Sequence, residues 1–400
     1  MKKKNKILLL VLVIVLTNLM AFNLGKNFNS YALAANKGTV DKIESDQVNK
    51  LVYLENYINS YYLRNVEKED LYTGQLKGMV AALNDPYSQY LTEEEFDELM
   101  EDTTGTFFGI GVYISSSDGY VTVVSPIRNT PAEEAGLLPG DIILKVDGVE
   151  VTGEDVSKAS KLIKGKKGTD VVLTIARKDE KEKPSTFDLK VRRDEIEVIT
   201  VNSKTIDNNI LYISISQFND NTYKEFAQAL EGITPATKGI ILDLRSNPGG
   251  LLDACRNVAD TLLPEGLIYY TKDRQGQIVD EGTSDAKMVD LPMVTLINGG
   301  SASASEILSG ALRDHKRSIL IGEKSFGKGV VQTINRFSTR DGIKLTISEY
   351  FTPNGISIHE KGIIPDVEVK LNDKTTKIGV DNLENDNQLQ KAIEELKKII

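Results

Sequence analysis

From Thr39 to Met100, apolar positions recur at spacings of mostly three to five residues: Ile43, Val48, Leu51, Leu54, Tyr57, Ile58 and Tyr61. That is the period of an amphipathic helix. A second helical run over 71–83 stops before Asn84-Asp85-Pro86-Tyr87, where the proline signals a turn. Thr92 with Glu95 three residues later predicts a capping box at the start of a short helix. From Gly105 to about Glu197 the period changes. Strands are expected over 109–114 and 120–124, a short helix over 131–136, a strand over 142–146, a helix over 156–164 and strands over 171–176 and 187–191, one small α+β module. After Ile199, strands and helices alternate: strand 211–215, helix 223–230, strand 239–244, helix 251–262, strand 293–297, helix 303–313, strand 318–321. Such alternation predicts an α/β layer with crossover helices. Residues 344–347 and 365–369 add strands. The tail 388–400 carries Leu389, Ala392, Ile393 and Leu396 on one stripe, and its mixed-charge polar face favours packing on the protein or a second subunit over a membrane.

Charge divides the chain. Its net charge is −10, yet residues 1–34 hold five lysines and no acid, so the remainder carries −10 − 5 = −15. An acidic body excludes nucleic acid as a partner, which needs a basic stripe. Lys2, Lys3, Lys4 and Lys6 precede Ile7–Leu24, eighteen uncharged residues, followed by Ala32-Leu33-Ala34. This order reads as a secretory signal peptide. The apolar run is also long enough to anchor in a bilayer, and either reading exports the body of the chain beyond it. A single cysteine, Cys255, excludes an internal disulfide and suits a small buried thiol. With two histidines in all, His315 and His359, no clustered metal-ligand pattern arises, and no cofactor is implied.

Three segments carry candidate chemistry. Asn298-Gly-Gly-Ser301-Ala-Ser303-Ala-Ser305-Glu306 lies where a buried strand meets a helix, so backbone N–H groups and the helix dipole converge beside a serine hydroxyl. That suits an acyl-transfer nucleophile. It equally suits a helix start capped by Ser301 or Ser303. In Ser325-Phe326-Gly327-Lys328-Gly329-Val330-Val331-Gln332, Lys328 sits between glycines that permit close backbone approach. If 328–334 is a strand, Lys328 and Gln332 share a face. A lysine base must be neutral, which asks burial to bring its pKa from ~10.4 toward 7–8, about 4 kcal/mol. Phe326 and the valines would wall it and Gln332 would orient it, unless Lys328 is a surface turn residue. Asp243-Leu244-Arg245-Ser246-Asn247-Pro248-Gly249-Gly250 closes another buried strand, its glycines serving either an oxyanion or a turn.

Taken together, NGGSASASE, FGKGVVQ, DLRSNPGGLL upstream, KGIIPDVEV (361–369) downstream and GMVAALNDPYSQYL (78–91) closely resemble the C-terminal processing (tail-specific) peptidases over residues 40–395. The resemblance implies an α/β crotonase-like spiral protease core with an inserted α+β PDZ domain and helical N- and C-terminal segments. The corresponding boundaries are 1–34 for the signal or anchor, 35–104 helical, 105–197 PDZ, 198–372 peptidase and 373–400 helical tail. It places the nucleophile on Ser303, the base on Lys328, the lysine-orienting residue on Gln332, and the oxyanion hole on Ala304 with Gly249 or Gly250. Glu306 and Asp314 match supporting polar positions. Phe108-Gly109-Ile110-Gly111 resembles a PDZ carboxylate-binding loop, where a peptide adds as a strand. Val112 and Leu162 would wall the pocket for its last residue. Lys164 stands where many relatives carry arginine, and lysine cannot make a bidentate contact.

The implied activity is endoproteolysis of extracytoplasmic proteins with exposed apolar C-termini, in tail processing, turnover or signal transduction, with a homodimer as a family expectation. A silent PDZ scaffold and a hydrolase using His315 or His359 are the competing classes. An intact Ser303, Lys328 and Gln332 argues against both.

Overall fold

The structure, a computed structural model, describes residues 44–178, 184–207, 209–373, 375 and 377–400. The signal or anchor reading of residues 1–34 lies outside them. Two compact units divide the chain at Met79/Val80. In the first, the helix Glu44–Tyr61 stacks Tyr53, Tyr57 and Tyr61 at i,i+4 spacing, with ring centroids 6.1 and 4.7 Å apart. Lys68, opening the helix Lys68–Ala81, pairs with Glu55 at 3.8 Å. Among the described residues no helix is long and apolar enough to cross a membrane.

In the second unit, the helix Glu93–Thr104 opens with the anticipated capping box: Glu95 N–H donates to Thr92 Oγ1 at 3.3 Å and Thr92 N–H to Glu95 Oε2 at 2.9 Å. Gly105, at φ 68°, ends it. The strand Thr106–Gly109 then pairs antiparallel with Asp194–Glu197, so the chain enters and leaves the PDZ-like module through one two-stranded neck. Within the module a six-stranded sheet carries Val121, Val123, Ile143, Val146, Val171, Leu173, Ile175 and Val191 into one core, closed by the helix Val156–Ile163. The strand expected over 109–114 is broken at Ile110-Gly111, where Gly111 turns at φ 78°.

The larger part is built on a six-stranded sheet. Its order is Val201–Ile206, Ile210–Ile215, Gly239–Asp243, Met293–Ile297, Ile319–Gly322 and Val367–Glu368, antiparallel at the first pair and parallel after it. Gly239–Asp243 and Met293–Ile297 are buried at every position, as parallel strands covered on both faces require. The helices Thr222–Leu230, Leu252–Leu262 and Ala304–Asp314 share one core with this sheet. Leu389, Ala392 and Leu396 of the helix Asn387–Lys397 pack on its other apolar face with Tyr212, Ile241 and Leu296. A buried network joins that helix to the third candidate segment. Arg245 bonds Asp243 at 2.6 Å, Asp386 at 2.8 Å and Gln388 at 3.0 Å, while Asp386 caps the helix through Leu389 N–H.

A second, five-stranded antiparallel sheet gathers Gln89–Leu91, Gly342–Phe351, Gly266–Lys272, Ile278–Ser284 and Val330–Arg336. Periodicity does not anticipate the Gly266–Ser284 hairpin. This sheet carries the lysine segment against the serine turn.

Candidate active site

Ser303 is held at φ 53°, ψ −115° immediately before the helix Ala304–Asp314. A non-glycine residue in such a conformation stores about 1–3 kcal/mol of strain, which surrounding contacts must offset. Those contacts come from its neighbours. Ser301 Oγ donates to Leu244 O at 2.8 Å, Ala302 N–H and Ser305 Oγ donate to Asn247 O at 3.0 Å, and Ser303 N–H donates to Glu306 Oε2 at 3.0 Å. Ser301 and Ser305 thus bolt the turn to the 243–250 segment, while the Ser303 hydroxyl donates to no acceptor among the described residues.

Glycine is obligatory at position 249. A Cβ there would lie 2.8 Å from both Ala302 O and Ser303 Cβ, and φ is 102°. The Gly249 N–H is engaged by Asn247 Oδ1 at 2.8 Å. Gly250 N–H and Ala304 N–H have no acceptor among the described residues, and both residues line the same cavity as Ser303.

Lys328 lies in the loop after Ile319–Gly322, not in a strand. The strand begins at Val330, and its pairing shifts register between Val331 and Gln332, so the same-face argument from alternation does not hold. Proximity comes from the loop instead. Its glycines allow close approach: a Cβ on Gly329 would meet His359 N at 2.4 Å and one on Gly327 would meet Gly362 N at 3.0 Å. Lys328 N–H donates to Glu306 Oε2 at 2.9 Å, and Tyr350 Oη bonds the carbonyls of both Lys328 and Ser303.

The Lys328 ammonium stands over the Tyr87 ring, 5.0 Å from its centroid. Burial, and next the Lys344 cation, push its pKa below the ordinary lysine value, against the carboxylates of Asp85 and Glu306. Phe326 is not the expected wall: it is 59% exposed, while Val330 and Val331 line the cavity beside Lys328. Gln332 Nε2 donates to Val330 O and Thr346 Oγ1, each at 3.3 Å, rather than contacting Lys328. Sequence reasoning misses Tyr87 as a contact of the lysine, although the turn that carries it is legible. Glu306 is fully buried and also accepts from Ser325 Oγ at 2.5 Å and Gly327 N–H at 2.8 Å. Burial pushes its carboxyl upward, while these donors oppose that shift.

Ser303, Ala304, Gly249, Gly250, Lys328 and Gln332 line one cavity of about 680 Å³. A second cavity, of about 380 Å³, runs beside Gly109, Ile110, Gly111, Val112 and Lys164. Phe108 and Leu162 do not line it. Phe107, Ser160 and Ile163 do, because Phe108 points outward from the neck strand and Leu162 packs on the module's core. The N–H groups of Ile110 and Gly111 have no acceptor among the described residues. Asp102 and Gln217 line both cavities. Lys164 pairs with Glu101 at 2.5 Å.

The two histidines and the cysteine have other surroundings. His315 bonds Leu267 O at 2.7 Å at a helix end, and His359 sets its ring edge-on to Tyr87 at 6.4 Å. Asp314 accepts from Asn354 N–H at 2.9 Å. Cys255 is fully buried, its thiol pushed up to about 12 by burial.

Comparison with known proteins agrees in order and extent. Residues 209–369 match Peptidase family S41, residues 122–177 a PDZ domain, and residues 19–95 the activating protease CtpB N-terminal domain. The carboxy-terminal processing protease CtpA of Bacillus subtilis (strain 168) is 37% identical over 377 residues, 93% of this chain and 79% of that protein. A carboxy-terminal-processing protease of Bartonella bacilliformis is 39% identical over 78% of this chain and 73% of its own length. Among solved structures, the photosystem II D1 C-terminal processing protease superposes with a TM-score of 0.51 at 27% identity, over 86% of this chain and 96% of that one. The chain belongs to the carboxy-terminal processing serine proteases of peptidase family S41 and carries their PDZ domain.

Proposed function

We propose that this protein is an exported Ser/Lys endopeptidase that grips the C-terminal tail of extracytoplasmic proteins in its PDZ groove and cleaves them at Ser303. The observation that carries the reading is the convergence on one cavity of a strained serine with an uncommitted hydroxyl proton, two acceptor-free N–H groups on Ala304 and Gly250, and the half-buried Lys328. Neutral Lys328 takes the Ser303 proton as Oγ attacks the scissile carbonyl carbon. The Ala304 and Gly250 N–H groups receive the oxyanion. As the tetrahedral intermediate collapses, the C–N bond breaks and the Lys328 ammonium protonates the leaving amine. Water, deprotonated by the same lysine, attacks the acyl carbon, and as the C–Oγ bond breaks the Lys328 ammonium returns the proton to Ser303 Oγ.

For this sequence Lys328 Nζ leaves the Tyr87 face for Ser303 Oγ, and Gln332 turns its amide oxygen to hold it there. The PDZ groove takes the tail carboxylate on the Ile110 and Gly111 N–H groups. The same reading gives the peptidase part, 198–372, a crotonase-like spiral, delimits the PDZ domain at 105–197, and assigns residues 1–34 to export or anchoring. A homodimer through the terminal helical segments belongs to it too, as do roles in turnover and signalling proteolysis.

The test is cleavage of an unfolded substrate with an apolar C-terminus by the full chain in detergent, beside folded Ser303→Ala and Lys328→Ala variants. Cleavage by the parent alone supports the mechanism. Activity that survives Lys328→Ala removes the proposed base.

A further inference from the structure

Lys344 lines the same cavity as Ser303, Lys328 and Gln332. It stands on the strand Gly342–Phe351, paired with Gln89 on one side and Ile334 on the other. Thr346, two residues on and so on the same face, accepts from Gln332 Nε2 at 3.3 Å. Lys344 is half-buried, and its ammonium has no hydrogen bond and no carboxylate partner among the described residues. Lysine is rarely withdrawn from water without a partner. A second half-buried lysine, Lys328, faces the same cleft.

The groups around Lys328 come from every element packed on it. Glu306 approaches from the nucleophile helix, Asp85 and Tyr87 from the turn before Gln89–Leu91, His359 lies beyond Tyr87, and Lys344 projects from the sheet. Glu306 and Asp85 favour the charged lysine, but both carboxylates are engaged, Glu306 by four donors and Asp85 by Ser88 Oγ and Tyr87 N–H. The Tyr87 ring also favours the cation. Something must oppose them if the lysine is to serve as a base. Burial opposes them first, and a second positive charge adds to it, because two like charges sharing a poorly hydrated site do not both stay ionised.

We propose that Lys344 is a positioning residue that acts through its charge, keeping Lys328 neutral so that it can accept the Ser303 proton. The inference rests on the Ser/Lys reading. Lys344 makes no hydrogen bond to Ser303 among the described residues, so its action on the nucleophile runs through Lys328. Burial pushes both lysines below their ordinary value, and the Lys344 cation adds to the shift at Lys328.

The test follows Ser303 labelling by a small fluorophosphonate against pH on the full-length protein, a readout independent of peptide binding. The parent rate rises with pH as Lys328 deprotonates. In Lys344→Met and Lys344→Gln the rise moves to higher pH by about one unit, giving roughly tenfold slower labelling below it and convergence with the parent above it. Lys344→Arg keeps the parent position. A rise that stays in place in both neutral variants, even with a uniform loss of rate, overturns the proposal. A raised KM for peptide with the rise unmoved also overturns it and assigns Lys344 to substrate binding. Lys328→Ala labelled as fast as the parent sinks the Ser/Lys reading itself, so the two failures are distinct.

Discussion

Ser303 and Lys328 are joined through one oxygen: Glu306 Oε2 accepts the N–H of Ser303 at 3.0 Å and that of Lys328 at 2.9 Å. Tyr350 Oη meets the carbonyls of the same two residues. The backbones of the two chemical loops are therefore set by two buried side chains, neither of which needs to take part in the chemistry.

Glu306→Gln tests that clamp. An amide keeps the volume but turns an NH2 toward donors that lose their acceptor, and each buried unsatisfied group costs about 1–3 kcal/mol. The variant should melt lower, and kcat should fall more than KM rises, because the loops lose register with each other. Thermal denaturation beside steady-state peptide cleavage measures both. An unchanged kcat in a destabilised enzyme would dissociate the clamp from catalysis.

Lys328→Met separates activity from stability. The folded-state pKa of Lys328 is lowered, so the unfolded chain binds more protons than the folded one between the depressed value and about 10.4, and the parent gains stability as pH rises through that window. Replacing the ammonium by an apolar group of similar length removes the desolvation cost. The variant should be inactive, with a Tm at or above the parent's near neutral pH and a stability less dependent on alkaline pH. A lower Tm would mean that the Tyr87 contact outweighs desolvation.

Much of this site is legible in the sequence because its loops are glycine-rich turns between a buried strand and a helix, which local punctuation reports directly. Ser303 at such a turn and Gly249 against it are of that kind. Alternation brings Lys328 and Gln332 together for the wrong local reason, because it cannot anticipate the shift at Val331/Gln332. Gln89–Leu91, only three residues long, exists as a strand because Gly342–Phe351 pairs with it, a long-range cause. The hairpin Gly266–Ser284 escapes a periodicity reading because bulges break its register and most of Ile278–Ser284 is exposed. Phe326 points to solvent because Gly327 and Gly329 seat the loop on the 359–362 backbone, which no local pattern encodes.

Gly249→Ala should inactivate the enzyme with a modest loss of stability. The new Cβ meets Ser303 Cβ and Ala302 O at 2.8 Å, and φ 102° is strained for alanine. A cost of about 1–3 kcal/mol is expected, with kcat falling by about 10²-fold or more as Ser303 is displaced. Gly119→Ala is the control: its φ is also positive, at 79°, but a Cβ there meets nothing within 4 Å. Its activity should match the parent's.

Arg245→Met should loosen the C-terminal helix. It leaves Asp243 and Asp386 buried without their cation, and breaking such a network costs about 3–5 kcal/mol. Burial raises the Asp386 carboxyl, but Arg245 outweighs it and holds the carboxyl below its usual value. In the parent this linkage stabilises above the unfolded pKa of about 3.9 and fades as pH falls through the folded one. The variant should lose that acid dependence. Hydrogen exchange over residues 387–397 locates the loosening.

Lys164→Ala addresses what holds a tail in the PDZ groove. Lys164 is paired with Glu101, both about one-third exposed, and such pairs contribute about 0–1 kcal/mol. The Ile110 and Gly111 N–H groups, by contrast, have no acceptor among the described residues, and both residues line the second cavity. A fluorescent peptide with a free apolar C-terminus should therefore lose at most about fivefold in affinity on Lys164→Ala. Amidation of its C-terminus should cost tenfold or more, since charge-assisted bonds to two backbone N–H groups are removed. Anisotropy titration of both peptides against parent and variant decides between them. If the lysine variant loses as much as amidation does, the side chain rather than the loop backbone receives the carboxylate, and its pairing with Glu101 must open on binding.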